Sequence, residues 1–152
     1  MNLLLDTNII FYIIRSRDFA GILNYINPDK AKLYISVATE AELKSLAIRN
    51  RWGQNRVALL DEFLEQINII DISQSHINTY AEIDTFSQRL NPGFTGYLFD
   101  TPRNMGKNDL WIATLCALLG LKLLTTDADF DHLNGVFFEV QKMKAIEFSP
   151  FF

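Results

Sequence analysis

An α/β fold built on a mostly parallel sheet is predicted by three observations. Short apolar runs end abruptly in polar turns, longer stretches with helical spacing separate them, and the two kinds of segment alternate along the chain. Strands separated by helices need crossover connections, which give a parallel sheet with helices on its faces. Asn2 to Asp6 (NLLLD) reads as a buried strand that stops at Thr7 and Asn8. Helix follows to about Arg15, and a second helix covers Phe19 to Ile26. Lys32 to Ser36 is the next strand, and Ala38 to Asn50 a helix carrying Leu43, Leu46 and Ala47 before Gly53 interrupts it. Val57, Leu60, Phe63, Leu64 and Ile67 recur at helical spacing, then Ile69 to Ile72 supplies a third strand and Gln74 to Leu90 a further helix. Pro92, Gly93, Gly96, Pro102 and Gly106 make Asn91 to Lys107 a long loop. Asn108 is placed to cap a helix over Asp109 to Leu119 that Gly120 ends, and Leu121 to Thr125 is the fourth strand. Val136 to Val140 and Lys144 to Phe148 are the remaining strand candidates.

The 152 residues, 49% of them hydrophobic, suit one domain over 1–152 with a single filled core. There is no apolar stretch of membrane-spanning length and no basic leader with a cleavage site, so a cytoplasmic protein with no membrane partner is expected. One cysteine, Cys116, lies in an apolar helical run, where it forms no intrachain disulfide and reads as a structural thiol of a reduced compartment. A net charge of −4 argues against a broad basic surface that holds nucleic acid by counterion release, so any RNA contact is local. Acidic residues at the centre of a site that grips phosphates through metal ions are compatible with that charge.

Open parallel sheets bind ligands beyond the carboxyl ends of their strands. Asp6 ends the first strand and Asp127 follows the fourth, while Glu42 and Asp109 sit in opening turns of helices that begin at the same edge. Four carboxylates meeting there suit Mg²⁺ or Mn²⁺, which take oxygen ligands and retain waters. Each acid also has a structural alternative. Asp6 is a good helix cap, Thr39 and Glu42 fit a T-x-x-E capping box, Asp109 complements a helix dipole, and Asp127 caps a turn before Phe130. Glu42 is preferred over Glu40, because Glu40 precedes Lys44 by four residues in the orientation of an exposed pair, whereas Glu42 shares its face with the small Ala38, Ala41 and Ser45. Asp129, in closer contest with Asp131, is the reserve ligand. Crowded acids without a fixed cation are expected to raise at least one carboxyl pKa.

LLLDTNII, SVATEAEL and GKNDLWIATLCALLGLKLLTTDADF together resemble the PIN-domain family, especially the VapC-like ribonuclease toxins of type II toxin–antitoxin pairs, in the family's order over nearly the whole chain. NDLWIA with LLTTDADF is the most specific part. The resemblance implies a parallel five-stranded sheet flanked by helices, endonucleolytic cleavage of RNA with Mg²⁺ or Mn²⁺, a small antitoxin partner and a possible homodimer. It carries the family's acids onto Asp6, Glu42, Asp109 and Asp127, and supporting polar positions onto Asn8 and Thr125. Two departures, the length of Asn91 to Lys107 and a non-glycine after the glutamate's helical turn, bear on substrate rather than on the acids.

Asp6 and Asp109 are the expected direct metal ligands, with Glu42 and Asp127 completing the site or holding water. Arg103 and Lys107 are candidates for scissile-strand phosphates or solvated loop charges, and Phe94, Tyr97 and Phe99 for base stacking, core cover or a partner contact. His76 and His132 read as surface residues rather than general bases. A haloacid-dehalogenase phosphatase needs a second Asp where Asn8 stands, and a response-regulator receiver needs an N-terminal acidic pair and a late Lys; neither pattern is present. The alternatives carried forward are a PIN-fold RNA-processing nuclease and a non-catalytic RNA- or protein-binding module, the latter disfavoured because all four acids are in place.

Overall fold

The computed structural model describes residues 1–152. Five strands, β1 (Leu3–Leu5), β2 (Leu33–Ser36), β3 (Asn68–Ile70), β4 (Lys122–Thr125) and β5 (Val140–Lys142), pair in the order β3-β2-β1-β4-β5. Every pairing is parallel. Six α-helices connect them: α1 (Thr7–Arg15), α2 (Phe19–Ile26), α3 (Val37–Arg49), α4 (Gln54–Gln66), α5 (Ile77–Ser87) and α6 (Lys107–Leu119).

Strand side chains alternate between two cores, as the period of two requires. Leu3, Leu5 and Leu124 join the core formed with α1, α2, α4, Leu43 of α3 and the C-terminal Phe148. Leu4 and Leu123 face the other way, into the core formed with Ile83 and Phe86 of α5, the apolar side of α6 and Phe130. The central strand is therefore apolar at every position, and each fully buried leucine contributes about 1.5–3 kcal/mol.

Helix ends explain where the structure departs from the sequence pattern. Arg51 and Arg89 both adopt left-handed backbone, with φ of 51° and 60°. After α3, Trp52 N–H reaches Ala47 O and Arg51 N–H reaches Ile48 O; after α5, Leu90 N–H reaches Thr85 O and Arg89 N–H reaches Phe86 O. These paired bonds satisfy the last carbonyls, so the helix expected to run to Leu90 stops at Ser87. It also begins later than its pattern suggested, because Gln74–His76 forms a 3₁₀ turn first. Asn108 does not cap α6: Gly106 holds the cap position and Asn108 lies inside the first turn. Of the two late strand candidates, only the end of Val136 to Val140 enters the sheet, where Val140 pairs with Leu123. Lys144 to Phe148 is not a strand. It belongs to a 3₁₀ segment (Ala145–Phe151) whose first turn is tied by Glu147 to the Lys144 amide and which contains Pro150.

Phe130 is fully buried in the second core and lies in the 3₁₀ segment Ala128–Leu133 that follows Asp127. Phe130→Ala is expected to cost about 3–5 kcal/mol of stability by cavity formation, read as the shift in a denaturant midpoint. A loss below about 1 kcal/mol would show that this turn is not anchored through its aromatic ring.

Candidate metal centre

The parallel pairing of β1 with β4, in which Leu5 lies opposite Leu124, brings the carboxyl ends of both strands to one edge. Asp6 leaves β1 there, its amide still donating to Leu124 O at 3.0 Å. Asp6 is 5% exposed and its carboxylate accepts two hydrogen bonds: Thr7 N–H donates to Oδ1 at 2.8 Å and the Thr125 hydroxyl donates to Oδ2 at 2.7 Å. The same hydroxyl oxygen accepts from the Asp127 amide at 2.9 Å, so Thr125 fixes both strand-end acids at once. Thr7 in turn donates to the buried hydroxyl of Thr39 at 3.4 Å, tying the start of α1 to the first turns of α3.

Asp6, Glu42, Asp109 and Asp127 line one cleft of about 450 Å³, together with Asn8. Carboxylate oxygens of Asp109, Asp127 and Asp129 lie within 4.8 Å of one another. Asp129 is thus the reserve acid that reaches the group; Asp131 is drawn away into an ion pair with Lys142 at 2.6 Å. The structural alternatives resolve one by one. Asp6 does cap α1, and Asp127 does cap the 3₁₀ turn through the Asp129 amide, so both acids combine a cap with a place in the cleft. Glu42 makes no capping box. Ser36 caps α3 instead, through the Ala38 amide at 3.1 Å, and Glu42 accepts from Asn108 Nδ2 at 3.2 Å. Glu40 lies outside the cleft but does not pair with Lys44, since Lys142–Asp131 is the molecule's one ion pair.

Burial, first, and the neighbouring carboxylates, second, push Asp109 up to about 7. Asp6 is pushed up to about 6, again chiefly by burial, with Asp127 and Glu42 adding to it and its two hydrogen bonds working in the opposite direction. Asp129 is raised by burial and by Asp127 and lowered by Arg103. Desolvation, rather than like-charge repulsion alone, is therefore the leading cause of the raised values. A divalent cation fits this donor set. All the groups are hard oxygen donors, none is neutralised by Lys or Arg, and Asn8 Oδ1 is buried beside them with no hydrogen-bond partner.

The remaining expected residues divide. Lys107 stands at the rim, with Gly106, Asn108 and Asp109. Arg103 lies in a separate pocket with Asp131 and His132, its amide bonded to Ser87 O at 2.7 Å. Phe94, Tyr97 and Phe99 cover the second core around Phe86 rather than standing free. His132 is not a surface residue. It is buried, its Nε2 lies 2.7 Å from the Ser87 hydroxyl, and burial lowers its pKa to about 4. His76 Nδ1 accepts from the Ser73 amide in the turn before α5. Burial also raises the Cys116 thiol. Phe11, Tyr12, Arg15 and Leu46 also line the cleft and are not among the residues expected there from sequence. Their only signal was the shared face of α1 on which Phe11 and Arg15, four residues apart, lie together.

Residues 3–136 match the family model described as PIN domain. The chain belongs to the PIN-domain family. Two relatives from Haemophilus influenzae are each 27% identical over 124 residues, covering 82% of this chain and 85% of the relative: ribonuclease VapC2 of strain ATCC 51907 and ribonuclease VapC of strain 86-028NP. Among solved structures, VapBC2 of Rickettsia felis bound to a promoter DNA fragment superposes with a TM-score of 0.72 at 23% identity, covering 93% of this chain and 98% of that one. VapBC-1 of nontypeable Haemophilus influenzae gives 0.68 at 23% identity with the same coverage. This PIN domain thus has the fold the resemblance implied, and no helix in it is long and apolar enough to cross a membrane.

The raised carboxyls set the pH dependence of the metal-free protein. With a folded pKa above the unfolded value of 3.8, Asp109 binds protons more readily in the folded state, so its contribution is fully present below about pH 4 and is lost as pH rises through about 7. Asp109→Asn removes that loss. In chelator, the variant is expected to melt a few degrees above the wild type near pH 8, at about 2–4 °C per kcal/mol, with a smaller gain near pH 5. A melting temperature lowered equally at both pH values would make Asp109 an ordinary helix-terminus acid.

Proposed function

We propose that this PIN domain is a Mg²⁺- or Mn²⁺-dependent endoribonuclease that hydrolyses RNA phosphodiester bonds in the cytoplasm, as the toxin of a toxin–antitoxin pair. The observation that carries the reading is the convergence of Asp6, Glu42, Asp109 and Asp127 on one cleft, with none of them in an ion pair. The two Haemophilus relatives, both named ribonucleases, support RNA as the substrate, and the VapBC complexes among the structural neighbours support an antitoxin partner.

Asp6 and Asp109 are assigned as direct metal ligands, Glu42 and Asp127 as groups that complete the site or orient its waters, with Asp129 and Asn8 Oδ1 as further oxygens within it. When bound, a divalent cation there supplies electrophilic stabilisation of a phosphoryl oxygen and an acidified water at neutral pH. The chain's own contribution is to hold the oxygens still. Thr125 and the Thr7 amide fix both oxygens of Asp6, Thr125 also fixes the Asp127 backbone, and Asn108 steadies Glu42. Lys107 at the rim is positioned for a phosphate of the substrate strand, whereas Arg103 sits one pocket away and acts on the site only through its charge on Asp129. Neither histidine takes part: His132 is neutral and buried against Ser87, and His76 is engaged with the backbone.

Purified protein is expected to cleave single-stranded RNA with Mg²⁺ or Mn²⁺ and to fall silent in chelator. Asp6→Asn should lower the rate by about 10²-fold or more with the fold intact by circular dichroism. Thr125→Val, which leaves every carboxylate in place, should cost about 10–100-fold in activity or metal affinity. Undiminished cleavage in chelator, or by Asp6→Asn, would put the chemistry elsewhere. Expressed without a partner, the wild type should arrest growth and Asp6→Asn should not; unimpeded growth beside RNA cleavage in vitro would favour an RNA-processing nuclease over a toxin.

A further inference from the structure

Two arginines and two aromatic rings stand in series at the cleft, Phe11 and Arg15 within its lining and Trp52 and Arg56 beyond it. The Arg15 guanidinium lies over the Phe11 ring, 5.0 Å from its centroid. Phe11 is next to Trp52, with centroids 5.8 Å apart and planes inclined by 44°. The Arg56 guanidinium lies over Trp52 at 5.5 Å. Helical spacing places Phe11 and Arg15 on one face of α1. The turn that ends α3 places Trp52, whose amide closes that turn on Ala47 O while Arg51 takes the left-handed position that glycine usually fills.

Both rings are half-buried and both arginines exposed. Helix α1 contains no acid, and neither guanidinium lies within ion-pair distance of any carboxylate, although Arg15 shares its cleft with four. A guanidinium attracted to a ring face keeps N–H groups free to meet phosphate oxygens. In a chain of net charge −4, the series is a local cationic and aromatic strip that starts inside the cleft, at Phe11 and Arg15, and runs out of it through Trp52 to Arg56.

We propose that this strip is the track by which single-stranded RNA leaves the acidic cleft, its phosphates meeting Arg15 and Arg56 and its bases stacking on the exposed parts of the Trp52 ring and the guanidinium planes. The proposal rests on the nuclease reading and names the form of its substrate. Continuity with the cleft and charge complementarity favour a nucleic-acid strand, and alternating planar and cationic groups are what sequence-tolerant recognition of unpaired bases requires.

The test compares Trp52→Leu and Arg56→Gln with the wild type on RNAs of about four and about twelve nucleotides, the lower and upper parts of the range one such binding surface spans. Each variant should raise KM for the longer RNA about tenfold, leave its kcat unchanged, and cleave the short RNA as the wild type does. Arg56→Gln should also flatten the salt dependence of binding by about 0.7 in log–log slope, the loss of one phosphate contact. A second readout does not require activity: in a Trp111→Phe background, where Trp52 is the remaining indole, the longer RNA should quench its fluorescence. Wild-type cleavage with variants that keep the wild-type KM, or no quenching by RNA, overturns the track. Quenching without cleavage by the wild type upholds the track and rejects the nuclease reading. Unchanged KM and quenching together with lost affinity for a protein partner would assign the strip to protein docking and overturn the proposal.

Discussion

One hydroxyl holds the candidate site together. Thr125 Oγ donates to Asp6, 119 positions earlier in sequence, and accepts from the Asp127 amide. It does so because β1 and β4 are parallel neighbours in register, and that register follows from the alternation of their leucines between two cores. A slip of one residue between the two strands would turn Leu4 or Leu123 toward the wrong core and carry Asp6 away from Thr125. The hydrophobic pattern of the sheet centre and the geometry of the carboxylates are therefore one constraint.

That constraint gathers acids that do not stabilise the fold by their charge. Burial raises Asp6 and Asp109 toward neutrality, and the neighbouring carboxylates add to it, while no Lys or Arg comes within pairing distance. Local bonds offset part of this cost: Asp6 and Asp127 each cap a helical turn, and Asn108 meets Glu42. The surplus is carried by the two cores, in which Phe130 and Phe148 are fully buried on opposite sides of the sheet. A site strained when empty and relieved by a cation is the thermodynamic signature of a binding centre, because whatever binds the folded state alone stabilises it.

Much of this was legible in the sequence because it follows from chain punctuation. Asp6 and Asp127 stand at strand ends and Asp109 in a helix's first turn, and α/β sheets open their ligand sites at that edge. Capping motifs were the misleading signal. T-x-x-E suggests a structural Glu42 and Asn108 resembles a cap; the caps instead lie earlier, at Ser36 and Gly106, which frees both side chains to meet each other. The last strand was placed too early, since pairing with β4 begins only at Val140. The burial of His132 is not legible in sequence because it depends on the aromatic loop folding back over Phe86, a long-range contact without local pattern. The grouping of Phe11, Arg15 and Trp52 has no local signal for the same reason: it exists only where the end of α3 comes beside α1.

The central claim is that these carboxylates are one cation site. Anomalous diffraction from a crystal soaked in Mn²⁺ tests it most directly. The account predicts a peak in the cleft within about 2.0–2.2 Å of oxygens from Asp6 and Asp109, with Asp127, Glu42 or Asp129 next to it directly or through water. A crystal that takes up Mn²⁺ only elsewhere, or shows none in an open cleft at saturating concentration, would contradict it.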